Sequence, residues 1–239
     1  MRIAEVASPN HDARAGAPDM IVLHYTGMPS AAAALARMTD PAAKVSAHWM
    51  IDEDGGLVRL VPEARRAWHA GAAFWRGVRD INGVSVGIEL VNPGHEFGYR
   101  PFPAPQVAAL VELLGEIRSR WIIPDARILG HSDVAPRRKE DPGELFPWER
   151  MAEAGHGLWP QVRPAPGPSL KAGEEGAAVL ALQSGLARLG YDLTASGRYD
   201  EATLAVVRAF QRHWAPGRID GLADGHARAS LLALLKVSP

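Results

Sequence analysis

The stretch MIVLHYT, residues 20–26, indicates how the first part of the chain folds. It is short, rich in β-branched and aromatic residues and followed by a glycine, which is the pattern of a β-strand. Successive side chains of a strand point to opposite faces, and here both faces are largely apolar. One face carries Val22, His24 and Thr26, and the other carries Ile21, Leu23 and Tyr25. We therefore expect a buried strand with one histidine near its carboxyl end.

The segments around this strand predict an α/β fold. Further strands are predicted at VSAHWMID (45–52), LVRLV (57–61), VGIELVN (86–92) and RILGH (127–131). The turn signal DEDGG (52–56) joins the first two of these as a hairpin. Helices are predicted at 30–38, which is rich in alanine, and at 104–121, where apolar residues recur at helical spacing. This alternation indicates a mixed central sheet flanked by helices.

The second part of the chain has a different character. Residues 160–169 read PQVRPAPGPS, and this density of proline favours an extended linker. Three helices are predicted beyond it, at 179–190, 201–214 and 227–235. We therefore predict a catalytic domain of residues 1–160, a proline-rich linker of residues 161–169 and a small all-α three-helix domain of residues 170–239.

The composition limits the chemistry that is available. The chain has 239 residues, a formal net charge of −1 and no cysteine. The lack of cysteine excludes disulfides, thiolate metal ligands and a cysteine nucleophile. The near-neutral charge gives no basis for binding nucleic acid or a membrane surface, no apolar run is long enough for a membrane span, and no protein partner is implied. Any metal must be held by histidines and carboxylates.

Two histidines and an aspartate are candidate metal ligands. His24 and His131 stand at the ends of predicted strands, and Asp141 follows in the turn-rich loop GHSDVAPRRKEDPG (130–143). Each histidine taken alone is more often a satisfied structural residue than a ligand. Two histidines and one carboxylate together form a familiar catalytic zinc set, which leaves a fourth position for water.

Glu89 and Lys139 are candidate catalytic residues. Glu89 lies within an apolar strand, where a carboxylate is costly unless it is paired or functional. It is interpreted either as a glutamate at the rim of the sheet or as a general base with a shifted pKa. Lys139 precedes Asp141 by two residues, and is either a solvated loop lysine or a cation that stabilises an oxyanion.

The remaining histidines divide into two groups. His48 and His69 either line a pocket or are structural. The others lie in loops or in the second part of the chain and are interpreted as surface residues: His11, His95, His156, His213 and His226. The sequence contains no HExxH, GxSxG or Walker motif, so the mechanisms tied to those motifs are not indicated.

Five segments, taken in order, carry a family resemblance. They are LHYTG (23–27), SAHWMIDEDG (46–55), AWHAG (67–71), NGVSVGIELVNPG (82–94) and GHSDVAPRRKEDPG (130–143). They closely resemble the zinc-dependent N-acetylmuramoyl-L-alanine amidases of the type 2 amidase family, in its AmpD/AmiD-like branch, over residues 18–160. The resemblance implies a peptidoglycan-recognition-like fold and hydrolysis of the amide bond between N-acetylmuramic acid and the L-alanine of the stem peptide.

The same resemblance implies roles for individual residues. It implies His24, His131 and Asp141 as ligands of Zn²⁺, Glu89 as the catalytic carboxylate, and Lys139 as the partner of the oxyanion or substrate. The residues that it places along or behind the substrate groove are His48, Trp68, His69, Trp75 and Asn82. Related recognition proteins without catalysis commonly lose the zinc ligands, whereas all of them are present here.

The three-helix segment resembles the type 1 peptidoglycan-binding domain. The residues that carry this resemblance are VLALQSGLARLGY (179–191), GRYDEATLAVVRAFQRHW (197–214) and the later DG (220–221). The segment departs from the family at 213–228, where the family usually has a shorter and more regular turn. The resemblance implies contact with the cell wall, and the alternative is a small interaction or packing module.

The expected function is cell-wall degradation, remodelling or recycling by a zinc amidase, with peptidoglycan or a muropeptide fragment as substrate. Two alternatives stay open, a peptidoglycan sensor without turnover and a zinc peptidase that cuts within the stem peptide. The N-terminal sequence MRIAEVASPNHDARAG lacks the apolar core of a signal peptide, which predicts a cytoplasmic location. A wall-binding domain instead favours the periplasm or cell envelope.

Overall fold

The computed structural model describes residues 3–237 and is built on a sheet of six strands. The strands of these residues are β1 Ile3–Glu5, β2 His11–Ala13, β3 Met20–Tyr25, β4 Trp49–Ile51, β5 Leu57–Arg59, β6 Arg65–Ala67, β7 Ser85–Leu90 and β8 Ile128–Gly130. The large sheet has the order β1-β5-β4-β7-β3-β8, in which only β4 and β5 run antiparallel to each other. Strands β2 and β6 form a separate antiparallel pair.

Helices flank this sheet and make up the end of the chain. They are α1 Ala31–Thr39, α2 Ile81–Val84, α3 Gly94–Phe97, α4 Ala104–Arg120, α5 His131–Val134, α6 Trp148–Glu153, α7 Ala177–Leu189, α8 Glu201–Trp214 and α9 Gly225–Val237. The predicted α/β class, with a mixed sheet and a helical C-terminal part, is confirmed. No helix within residues 3–237 has the length and apolar character needed to cross a membrane.

Several elements differ from the sequence prediction in their bounds. Strand β4 is shorter than the predicted 45–52, and the last strand ends at Gly130 because His131 begins α5. The sequence does not predict strands β1, β2 and β6, because each covers three residues and lies outside any longer run of β-branched and aromatic residues.

Strand β3 is buried on both faces, as the alternation of its side chains predicts. Ile21 and Leu23 belong to one apolar cluster and Met20 and Val22 to another, so the strand separates two layers of core. Each fully buried side chain of this size stabilises the fold by about 1.5–3 kcal/mol. The apolar sequence of β3 thereby fixes the strand between two covering layers.

Helix α4 covers one face of the sheet. Its buried residues recur at helical spacing and include Val107, Leu110, Leu114 and Ile117. Gln106 at its first turn is fully buried, and its Nε2 donates to the carbonyl oxygen of Ile51 at 2.9 Å and to that of Val91 at 3.0 Å. The helix is therefore held to β4 and to the end of β7 by polar contacts as well as by apolar packing.

The C-terminal module, residues 170–237, packs directly against the first part of the chain. Met20 and Val22 of β3 share one continuous apolar cluster with Leu186 of α7 and Val207 of α8. Residues 161–169, which precede the module, contain no helix or strand, although the exact domain boundaries stay a prediction. The sheet is thus covered on its second face by helices from the far end of the chain.

One expectation about the histidines is wrong. His213 was expected at the surface, but only 2% of it is exposed. Its ring stacks between Trp148 of α6 and Trp214, with ring centroids 3.6 Å and 3.7 Å apart. The sequence shows that α8 is amphipathic, but it does not show that α8 packs against another part of the chain at this end.

Candidate active site

The candidate metal ligands meet at the carboxyl ends of neighbouring parallel strands. His24 lies near the end of β3, His131 follows β8 directly, and Asp141 lies in the loop after α5. Sites in open α/β sheets form at this edge, where the loops that leave the strands create a crevice. The Asp141–Pro142 peptide bond in this loop is cis.

The three side chains converge on one point. His24 Nδ1 lies 3.0 Å from His131 Nδ1 and 3.0 Å from Asp141 Oδ2, and His131 Nδ1 lies 2.9 Å from the same oxygen. All three residues are buried. In the described part of the chain this is the one group of histidines and carboxylates whose ligand atoms lie close enough together to hold a metal ion.

Hydrogen bonds behind the site decide which nitrogen of His24 carries a proton. Ser85 Oγ donates to the carbonyl oxygen of Ile81 at 2.6 Å, and so accepts from His69 Nε2 at 3.2 Å. His69 Nδ1 then has no proton and accepts from His24 Nε2 at 3.0 Å. The proton of His24 is therefore on Nε2, and the lone pair of Nδ1 faces the candidate metal site. The hydrogen-bond partners His69 and Ser85 select this tautomer.

His131 is oriented in the same way. Its Nε2 lies 3.0 Å from the carbonyl oxygen of Ala70, which can only accept, and 3.3 Å from the donor Arg138 Nη2. The shorter contact favours a proton on Nε2, which leaves a lone pair on Nδ1. Asn82 Oδ1 fixes this carbonyl by accepting from the backbone N–H groups of His69 at 3.1 Å and Ala70 at 2.8 Å. Two imidazole lone pairs and a carboxylate oxygen therefore face one another. Such a set of acceptors repels itself unless a cation lies between them, which fits a metal ion with nitrogen and oxygen ligands.

Burial and mutual charge set the protonation of the ligands. Burial and, next, the charge of His131 lower the pKa of His24 to about 4. Burial by itself raises the pKa of Asp141, but the neighbouring His131 and His24 outweigh it and hold that pKa well below its usual range. At neutral pH the pair is therefore a neutral imidazole and a carboxylate, the forms that bind a metal ion.

Glu89 lies beside the ligands on the adjacent strand. The register pairs Glu89 of β7 with His24 of β3, so both side chains leave the same face of the sheet. Its Oε2 is buried and has no hydrogen-bond partner within residues 3–237. Burial first, and then the charge of Asp141, raise the pKa of Glu89 well above its usual value, against the opposing charge of Lys139. A carboxylate perturbed in this way at the wall of a cavity is a candidate for proton transfer.

The three candidate metal ligands lie in the wall of a cavity of about 450 Å³. Glu89 and Lys139 are among its lining residues, together with Tyr25 and His95. The amine of half-buried Lys139 makes no hydrogen bond or ion pair with any other described residue, whereas the neighbouring Arg138 is held by backbone carbonyl groups. Lys139 is therefore a free cation beside the metal position.

Two glycines permit the close approach that the site requires. A Cβ atom at Gly87 of β7 would overlap the ring of His69, which lies against the strand at this point. A Cβ atom at Gly130 would lie 2.7 Å from Cδ of Pro142, where the Asp141 segment passes β8. Glycine is required at both positions because the neighbouring residues of the site leave no room for a side chain.

The five residues expected along or behind the groove separate into two groups. His69 lines the cavity and accepts a hydrogen bond from His24, one of the candidate metal ligands. Asn82 accepts a hydrogen bond from the backbone N–H of His69. His48, Trp68 and Trp75 are not among the residues that line the cavity. The first group therefore supports the site directly, through hydrogen bonds.

The other three residues have their own partners. His48 is fully buried, and its Nδ1 accepts from the backbone N–H of Gly87 at 2.9 Å. Trp68 Nε1 donates to Asp12 at 2.7 Å. Trp75 is 1% exposed and packs edge-on against Tyr191 of the C-terminal module. Their role beside the groove stays a prediction.

Sequence reasoning missed Ser85 and Arg138. Ser85 completes the hydrogen-bond chain behind His24, and Arg138 holds the carbonyl of Ala70 in place. A small polar residue at the start of an apolar strand and an arginine within a basic run are common, so neither carried a signal of its own.

The fold and the site together define a class of protein. Three convergent nitrogen and oxygen ligands beside a buried carboxylate, at the carboxyl edge of an α/β sheet, form the arrangement of a metal-dependent hydrolase.

Comparison with known sequences assigns the family. The family described as N-acetylmuramoyl-L-alanine amidase matches residues 14–144, and a family described as a peptidoglycan binding domain matches residues 175–226. The N-acetylmuramoyl-L-alanine amidase AmiD of Escherichia coli K12 is 35% identical over 233 residues, which cover 91% of this chain and 82% of that protein. The chain therefore belongs to the N-acetylmuramoyl-L-alanine amidase family and is an amidase.

Solved structures agree with this assignment. The complex of AmiD from E. coli with the substrate anhydro-N-acetylmuramic acid-L-Ala-D-gamma-Glu-L-Lys superimposes with a TM-score of 0.79 at 34% identity, covering 95% of this chain and 92% of that one. AmpDh3 from Pseudomonas aeruginosa in complex with anhydromuramic pentapeptide superimposes with a TM-score of 0.75 at 29% identity, covering 94% and 93%. The similarity in both cases includes the C-terminal module.

Proposed function

We propose that this chain hydrolyses the amide bond between N-acetylmuramic acid and the L-alanine of the stem peptide, using Zn²⁺ held by His24, His131 and Asp141. The observation that carries the proposal is the convergence of three acceptor atoms at 2.9–3.0 Å beside Glu89, whose Oε2 has no hydrogen-bond partner among residues 3–237. The substrate is supported by the two relatives whose structures hold anhydromuramyl peptides.

The donor set supports zinc among the common metals. Neutral imidazole nitrogens and one carboxylate oxygen suit Zn²⁺, and three protein ligands are the number found in catalytic rather than structural zinc sites. When bound, zinc polarises the amide carbonyl and lowers the pKa of a water molecule. The hydrogen bonds of His24 to His69 and of His131 to Ala70 hold both imidazoles in the tautomer that this role requires.

Glu89 moves the proton. Its carboxylate takes a proton from the attacking water while the water oxygen bonds to the carbonyl carbon. It then gives that proton to the nitrogen of L-alanine as the carbon–nitrogen bond breaks. The products are the carboxylate of the lactyl group and a stem peptide with a free amino terminus. The raised pKa of Glu89 suits both halves of this exchange, because the group can hold the proton between the two transfers.

Lys139 stabilises the charge that develops on the carbonyl oxygen. Its amine lines the cavity and has no competing partner within residues 3–237, so it is available to the substrate. A preorganised cation next to a developing oxyanion contributes most in a site that excludes water. Arg138 does not take this role, because its guanidinium is engaged with the carbonyl groups of Ala70 and Ala72.

The experiment that tests the proposal uses two substrates in parallel, intact sacculi and a soluble anhydromuramyl peptide, with mass spectrometry of the products. Stem peptides that begin with L-alanine establish the amidase. Cleavage within the stem would instead identify a peptidase, and binding without release would identify a sensor; either result overturns the proposal. Glu89→Gln is the control for contaminating hydrolases.

The same experiment bears on where the protein acts. The peptidoglycan binding family match supports action on polymeric wall in the periplasm or cell envelope. Release of stem peptides from sacculi is the outcome expected for that location. Release from the soluble fragment alone would instead favour recycling in the cytoplasm.

A further inference from the structure

A buried carboxylate joins the C-terminal module to the metal site. Asp133 lies in α5 and has no exposed surface. Its Oδ1 accepts from the Tyr191 hydroxyl at 2.9 Å, and its Oδ2 accepts from His213 Nδ1 at 2.7 Å. Both donors belong to the C-terminal module. The third donor is the backbone N–H of Gly130, at 2.8 Å.

Helix α5, which carries Asp133, also carries the candidate metal ligand His131. His131 is the first residue of α5, and the backbone N–H of Ser132 donates to the carbonyl oxygen of Asp141 at 2.9 Å. A single turn of helix therefore holds one ligand and fixes the segment of a second. Any displacement of α5 moves both ligands relative to His24, which is held separately on β3.

The contacts on Asp133 are strong ones. Burial and, next, the charge of Asp133 raise the pKa of Tyr191 well above its usual value, so the hydroxyl keeps its proton and donates. The ring of His213 is held between Trp148 and Trp214, which fixes the direction of its N–H group. Without the two side-chain donors, the buried carboxylate would keep only one hydrogen bond, which is a costly state that favours a displacement of α5.

We propose that the C-terminal module is a positioning element of the metal site, which acts through Tyr191 and His213 on Asp133. This inference deepens the proposed function, since it rests on His131 and Asp141 being metal ligands. It gives the module a task in catalysis on soluble fragments, separate from any contact with the wall. A second link supports it: Arg212 of α8 pairs with Glu140, the neighbour of Asp141.

The test uses the full chain and measures zinc affinity by competition with a chromophoric chelator, together with kcat and KM on a soluble anhydromuramyl peptide. Tyr191→Phe deletes one hydroxyl, and His213→Leu deletes the second donor. We expect each to weaken zinc binding on the order of tenfold and to lower kcat with little change in KM, as for other residues behind metal ligands. His213→Asn returns an N–H near the Nδ1 position and should recover part of the loss.

Two controls separate positioning from general stability. Leu234→Val weakens the interior of the module in α9, and Arg198→Ala removes the exposed ion pair with Glu175 at the surface of the module. These variants should keep the zinc affinity of the parent even where the thermal midpoint falls. If Tyr191→Phe and His213→Leu lower only the midpoint and leave zinc affinity and kcat unchanged, the proposal is overturned.

Tyr191→Phe carries the test alone if His213→Leu does not fold. The zinc measurement also keeps this proposal distinct from the proposed function. A parent protein that binds zinc but releases no stem peptide would overturn the proposed function, while the affinities of the variants would still decide whether the module positions the site.

Discussion

His24 and Glu89 are paired in register on the adjacent parallel strands β3 and β7. Neighbouring strands lie about 4.8 Å apart, so the sheet itself sets the spacing between a candidate metal ligand and the candidate base. Neither side chain depends on a loop for its position. The sheet therefore sets the position of this pair, whereas Asp141 is positioned by the loop that follows α5.

Glu89→Gln should bind zinc as the parent does but lose most of its turnover. The amide keeps the shape of the carboxylate but cannot take a proton from water, and general-base catalysis contributes about 10²- to 10⁴-fold. Zinc content by elemental analysis and stem-peptide release by mass spectrometry check both parts. A variant with the parent's rate would remove Glu89 from the mechanism.

Asp141→Ala should lose the metal. The change leaves two neutral imidazoles, and removal of the charged ligand weakens a site that is formed by three groups. A chelator should have a similar effect on the parent protein, lowering its thermal midpoint until zinc is returned, because a ligand bound only to the folded state stabilises it. Glu112→Ala, on the exposed side of α4, is the control, and full zinc occupancy in Asp141→Ala would contradict the ligand assignment.

His69→Phe should weaken metal binding without removing a ligand. The phenyl ring fills the space against Gly87 but cannot accept the hydrogen bond from His24 Nε2, which then loses its fixed tautomer. Loss of such a partner lowers metal affinity about 10- to 100-fold. Competition with a chelator measures the change, and His226→Phe in the C-terminal module serves as control. An unchanged affinity would show that His24 is oriented by other contacts.

Lys139→Met should lower kcat by about 10²-fold or more and leave zinc content intact. The change removes a cation from the cavity but keeps much of the side-chain volume. Arg137→Met, an exposed neighbour, should have little effect. Steady-state kinetics on the soluble substrate distinguish two roles. A rise in KM at constant kcat would mean that Lys139 binds the ground-state substrate rather than the oxyanion.

His48 should make the metal-free protein less stable in acid. Its pKa is lowered to about 4 from 6.5, chiefly by burial, so the folded state keeps it neutral while the unfolded state binds a proton below pH 6.5. The contribution of neutral His48 to the free energy of unfolding is complete above pH 6.5. About 3 kcal/mol of that free energy is lost as the pH falls from 6.5 towards 4.

His48→Asn checks this dependence, since asparagine can still accept from Gly87 but does not titrate. Urea unfolding in the presence of chelator, between pH 4 and 7.5, should give a flatter pH dependence for the variant than for the parent. The lowered pKa values of His24 and His69 also make the free energy of unfolding fall in acid, and this effect is the same in the parent and the variant. Equal slopes in the two proteins would contradict a neutral buried His48.

The sequence by itself determined the strands that carry the candidate site, and it indicated the residues that are proposed to react. The period of two in residues 20–26 fixed which side chains of β3 share a face, because alternation follows from the covalent geometry of an extended chain. The motifs around His24, Glu89 and the loop 130–143 carried the family resemblance, and the family match bears this out.

Only the tertiary structure decided what stands behind these residues. The tautomer of His24 depends on His69 and Ser85, and the position of α5 depends on Tyr191 and His213, which lie 58 and 80 residues from Asp133 in sequence. The burial of His213 was likewise predicted wrongly. A hydrogen bond between distant segments has no local pattern in the sequence, because it arises from the way in which the module packs on the sheet.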